Sequence, residues 1–72
     1  MRIHYDPDSD SLYIGLSSSS TNTESEEVAP GVVLDFDSNK QIVGIEIDHA
    51  SRMVDLNRLE ADFLLKSDRL SA

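Results

Sequence analysis

The sequence predicts an α+β domain: an antiparallel β-meander of four to five strands with a C-terminal helix packed on one face. Three observations predict it. Apolar and polar residues alternate between Arg2 and Ile47, the period of half-buried strands. Clusters of Asp, Ser, Asn, Pro and Gly punctuate that alternation. From Asp48 onward Gly and Pro disappear, and the apolar spacing lengthens to that of a helix. Strands followed by helix, with no βαβ alternation and no internal repeat, make residues 1–72 a single small domain.

The first strand is expected over about 2–5 and the second over 11–17, where Leu12, Ile14 and Leu16 alternate with Tyr13, Gly15 and Ser17. The turn formers between them, Asp6-Pro7-Asp8-Ser9-Asp10, close a hairpin. If Ile3 and Tyr5 share a face with Leu12 and Ile14, the loop runs from Asp6 to Ser11. Residues 17–22 are a polar run with nothing to bury, read as a flexible loop rather than a source of nucleophilic serines. The next strand, about 23–29, carries Glu24, Glu26 and Glu27, a composition suited to an edge.

Pro30-Gly31 marks a bend before strands over 31–37 and 41–47. A two-residue turn at Ser38-Asn39 would pair Asp37 with Lys40, Leu34 with Val43 and Val32 with Ile45. The apolar sets then meet on one face. Beyond the sheet, Asp48 is placed to cap a short helical segment over about 49–54. Asn57 and Glu60 have capping-box spacing for a further helix over 57–68, with Leu56, Leu59 and Phe63 along one stripe.

Size and charge narrow the function. A chain this short buries only about 60% of its unfolded surface, so it needs support. Cysteine is absent, which removes disulfides and thiolate zinc sites. A second copy of the chain, a homodimer, is the expected support. Fourteen acidic against six basic residues give a net charge of −8, a field that repels nucleic acid and suits a basic protein partner. No apolar run is long enough to span a membrane, and the N-terminus lacks the apolar core of a secretory signal. The expected location is the cytoplasm.

Several landmarks then occur in order: His4-Tyr5-Asp6-Pro7-Asp8, Leu12-Tyr13-Ile14, Glu26-Glu27-Val28, Pro30-Gly31-Val32-Val33-Leu34-Asp35, and Ile42-Val43-Gly44-Ile45-Glu46-Ile47 followed by Ala50-Ser51-Arg52. Over about residues 2–53 the chain resembles the small bacterial and archaeal proteins grouped as domain of unknown function 2283 (DUF2283). It departs from them in its Ser-rich loop and its longer tail. The resemblance implies a compact α+β fold with no assigned activity and no catalytic residues to carry over. Members are frequently encoded beside small basic proteins that look like relatives of toxin ribonucleases, which implies an antitoxin-like role.

No constellation argues for an enzyme. Asp6, Asp8 and Asp10, and again Asp35, Asp37, Asn39 and Glu46, imitate parts of a calcium loop, but each run lacks the glycine its sharp turn needs. Turn chemistry accounts for both. His4 and His49 have no converging partners in the sequence, and a ligand-sized pocket is hard to fit in so small a core. No catalytic, metal or cofactor residue is therefore expected. In the tail, Leu64 and Leu65 widen the apolar surface beyond one stripe. This makes Leu56, Leu59, Phe63, Leu64 and Leu65 the candidate partner-binding residues. The reading is a non-enzymatic interaction module, an antitoxin-like binder of a basic protein. The alternative is a small-molecule or divalent-metal binding domain using the acidic turns.

Overall fold

A computed structural model describes residues 1–17, 21–22 and 24–62. It contains strands β1 (Arg2–Asp6), β2 (Ser11–Gly15), β3 (Glu24–Ala29), β4 (Val32–Phe36) and β5 (Ile42–Ile47), then one short helix, α1 (Ala50–Met53). All pairings are antiparallel, and the strand order is β1-β2-β5-β4-β3.

That order is not the expected meander. β3, β4 and β5 follow one another, but β2 pairs with β5 instead of β3. Side-chain chemistry explains the choice. Leu12 and Ile14 lie opposite Ile47 and Ile45, a match the glutamates of β3 cannot offer. β3 is exposed along its whole length and forms the outer edge, where charge discourages further pairing.

Opposed residues share a face, so the registers sort the side chains. On the front, Tyr5, Leu12, Ile47 and Val32 form one row across the sheet, and Ile3, Ile14, Ile45, Leu34 and Glu26 form the next. The back carries His4, Tyr13, Glu46, Val33 and Glu27, then Arg2, Gly15, Gly44, Asp35 and Ser25. The front is therefore apolar up to its β3 border, and the back is largely polar.

The first hairpin places Ile3 and Tyr5 on the same face as Leu12 and Ile14, with Asp6 opposite Ser11. The second differs from expectation by two residues: Leu34 faces Ile45, and Val32 faces Ile47. The turn is longer than two residues. Asp37 N donates to the Gln41 carbonyl at 2.9 Å, and the Asp37 carboxylate accepts from the amides of Asn39 and Gln41 at 2.8 and 2.9 Å. Lys40 takes a left-handed conformation, φ 64°, and a bulge then leaves Val43 as the extra residue between the Asp35–Gly44 and Phe36–Ile42 pairs. The shift of two residues holds from Val32 to Asp35 and keeps Val32, Leu34, Ile45 and Ile47 on one face, so these apolar sets still meet.

The helical tail is the larger correction. α1 covers Ala50–Met53 only, and residues 54–62 contain no helix. Asp55 explains the break: its side chain accepts from Asn57 N at 3.1 Å, and its carbonyl accepts from Arg58 N at 3.3 Å. That local turn competes with a helix starting at Asn57. The remainder of the expected helix lies outside the described residues. Nor does Asp48 cap α1. The N-cap is His49, at φ 52°, with no side-chain cap bond.

Instead α1 is tied to the β1–β2 loop. Ala50 N donates to the Asp10 carbonyl at 2.9 Å. Ser51 donates to the Asp10 carboxylate through its amide at 3.0 Å and its hydroxyl at 2.8 Å, and Tyr5 Oη donates to the same carboxylate at 2.7 Å. α1 thus sits at one end of the sheet and not across a face. The result is a β-rich domain in which the α+β description holds only loosely. Among the described residues the core is thin: Leu12, Val43 and Ala50 are its buried apolar side chains.

Candidate interaction surface

Two surfaces stand out: the front face and the β3 edge. On the front, the chain leaves α1 and runs back over β1 and β2. Val54, Asp55, Leu56, Arg58 and Leu59 line an open hollow of about 320 Å³ together with Ile3, Tyr5, Leu12 and Ile14. This hollow has ligand-like volume, but it lies on the sheet face and not within the core. Of the five expected partner-binding residues, Leu56 and Leu59 both line it. They are 37% and 75% exposed, so they form a ridge that stands out from the sheet instead of burying themselves in it. Phe63, Leu64 and Leu65 lie outside the described residues.

Val32, Leu34, Phe36, Ile45 and Ile47 are all half-buried, and Leu16 is exposed. A sheet normally packs its apolar face against a second layer. Among the described residues, Val54, Asp55, Leu56, Arg58 and Leu59 lie over it, on the β1–β2 side. Sequence reasoning assigned the exposed apolar surface to the tail and missed the sheet face. The alternation of Val32, Leu34 and Phe36 was the available signal.

Along the β3 edge, Glu24 and Glu26 face front and Glu27 faces back. Lys40 pairs with Glu24. That hydrogen bond, and the charges of Glu24 and Glu26, raise the Lys40 pKa and keep its amine protonated. Glu27 accepts from Gly31 N at 3.2 Å, which steadies the β3–β4 turn. Gly31 itself sits at φ 78°, favourable for glycine and strained for other residues.

The acidic turns divide their carboxylates among separate tasks. Asp6 accepts from Asp8 N and Ser9 Oγ in its own loop. Asp10 holds α1. Asp35, one of the few buried residues, accepts from Ser25 Oγ at 2.7 Å on the back. Among the described residues, no three Asp, Glu or His side chains converge as a metal site would require. His4 and His49 belong to β1 and the α1 N-cap respectively. Among the described residues no helix is long and apolar enough to cross a membrane.

The Asp10 junction has its own electrostatics. Hydrogen bonds from Tyr5 and then Ser51 hold the Asp10 carboxyl below its usual range, helped by nearby His49. The bond to Asp10 correspondingly pushes the Tyr5 phenol up.

These features define a small β-rich protein with one acidic edge and one apolar face. The family model described as Protein of unknown function (DUF2283) matches residues 2–51, and the chain belongs to that family. The match ends within α1, so the ridge and the tail lie beyond it. No curated protein matches the chain, and no solved structure matches it.

Proposed function

We propose that this protein is a non-enzymatic interaction module that binds a basic protein partner through its acidic edge, in the manner of an antitoxin. The observation that carries the reading is the β3 edge. Its three glutamates are exposed, Glu24 and Glu26 lie beside the apolar front face, and the whole chain carries a net charge of −8. Such an edge attracts a basic surface over long range, and the adjoining apolar residues supply contact once the surfaces meet. The free outer side of β3 also suits strand addition by a partner. The protein acts in the cytoplasm, and self-association supports its small core.

Affinity capture from host lysate at low and at moderate salt, followed by mass spectrometry, tests this reading. The expected result is one basic protein in roughly equal amount, lost as salt rises. Recovery of the bait alone would overturn it.

A further inference from the structure

We propose that the outer edge of β1 is the interface of a two-fold symmetric homodimer, in which the β1 strands of two copies pair antiparallel about His4 and join the sheets edge to edge. The inference rests on the reading of the chain as a self-associating module, and it adds the edge and the register.

The open sheet has two edges, β1 and β3. An unpaired edge presents a row of amide and carbonyl groups to any strand that fits it. β3 is guarded against its own copy by Glu24, Glu26 and Glu27 and by a register shift between Glu27 and Ala29. β1 has neither guard. Each of its five residues pairs with β2 in unbroken register, and among the described residues no strand lies on its outer side. Arg2, Ile3 and His4 are exposed, Ile3 at 47%.

Charge names a second copy as the occupant. β1 begins with Arg2 and ends with Asp6, so the strand is complementary to itself when reversed. Two copies laid antiparallel about His4 set the Arg2 of each opposite the Asp6 of the other on the back, a stabilising cross-strand pair at both ends. Among the described residues Arg2 makes no ion pair. Asp6 accepts from two uncharged donors, Asp8 N and Ser9 Oγ. A carboxylate has about four acceptor sites, so it keeps room for a guanidinium.

The same register fits the apolar residues. Opposed residues share a face, so Ile3 of one copy meets Tyr5 of the other on the front, and the two apolar faces become continuous. A slip of one residue would set front against back. A slip of two parts Arg2 from Asp6 and takes one end of β1 off the ladder. In the proposed register Met1 falls opposite Pro7, whose missing N–H ends the pairing.

Sedimentation equilibrium of the purified full chain is the first test. The expected result is a dimer, and Arg2→Glu, which sets like charges together at both ends, should weaken it about tenfold with the far-ultraviolet dichroism retained. A monomer at every concentration, as when residues 63–72 of the same chain cover the edge, overturns the proposal. So does an Arg2→Glu dimer of unchanged affinity.

A cross-link decides independently of that variant. The chain has no cysteine, and His4 lies opposite His4 across the two-fold axis. Opposed Cα atoms in an antiparallel pair stand about 4.5–5.5 Å apart, within the span of a disulfide. His4→Cys should therefore form a disulfide-linked dimer in oxidised glutathione at least about tenfold faster than Glu26→Cys, its exposed counterpart on the β3 edge. Equal rates, or no cross-link in a chain that sediments as a dimer, overturn the edge while leaving self-association standing. Neither test depends on whether a basic partner exists.

Discussion

Replacing Gly44 by Ala should destabilise the fold by about 1–3 kcal/mol, the usual cost of forcing an extra methyl group into a packed site. Gly44 lies opposite Gly15 on the back of the sheet, and the Tyr13 side chain lies across both. A Cβ on Gly44 would overlap the Tyr13 hydroxyl oxygen and stand 2.7 Å from Cζ and 3.0 Å from Cε1. The ring would have to swing away from Gly44. At Gly15 the nearest ring atom is Cε2 at 3.3 Å, so Gly15→Ala should cost less. Urea denaturation of Gly44→Ala, Tyr13→Ala and the double variant measures the coupling. In the Tyr13→Ala background, Gly44→Ala should be nearly neutral. Additive effects would show that the ring is not what excludes a side chain at Gly44.

The second large effect is expected at Asp10. Its carboxylate accepts bonds from Tyr5 and Ser51, and its carbonyl accepts from Ala50. It therefore supplies from the β1–β2 loop the cap that α1 lacks. Asp10→Ala should free the first turn of α1, raising amide exchange at Ser51 about tenfold or more, since a donor that loses its charged acceptor is left to water. The pH dependence has a definite sign. The folded Asp10 carboxyl lies below its usual range, so its contribution is present above the unfolded value and is lost as pH falls through the folded one. The stability difference between wild type and Asp10→Asn should be constant near neutrality and shrink only in strong acid. A difference that vanishes while the pH is still above the ordinary carboxylate range would contradict the assignment.

The strands could be read in the sequence because their signals are local. Leu12 and Ile14, or Val32 and Leu34, declare a face by alternation alone, and the glutamates of β3 declare an edge. Strand order is a different matter. The choice of β5 over β3 as the neighbour of β2 depends on residues about thirty positions apart finding matched partners, and no local pattern encodes that. The register of the β4–β5 hairpin slipped by two because Lys40 adopts a left-handed conformation and Val43 bulges, whereas the sequence favours neither with a glycine.

The tail misled for a physical reason. Asn57 and Glu60 have helix-start spacing, but Asp55 captures the neighbouring amide in a turn of its own. Propensity over so short a stretch is a weak guide beside such a bond. As for the candidate surface, the spacing singles out Leu56 and Leu59 for a helical stripe, and the structure instead sets them beside the β1–β2 half of the apolar face on an irregular crossing with a turn at 56–57. The Asp10 junction was invisible for the same reason as the strand order, because loop and helix meet only through the completed fold.

The central claim is that the acidic β3 edge recruits a basic protein. The most direct test measures the association rate of the captured partner over a range of ionic strength, with wild-type protein and with Glu24→Gln/Glu26→Gln/Glu27→Gln. Steering predicts a wild-type rate that falls about tenfold or more from low to moderate salt, and a slower variant rate with a shallower salt slope, because the variant loses three of the eight net negative charges. Equal rates with equal salt slopes would show that the edge does not guide the encounter, and would contradict the account.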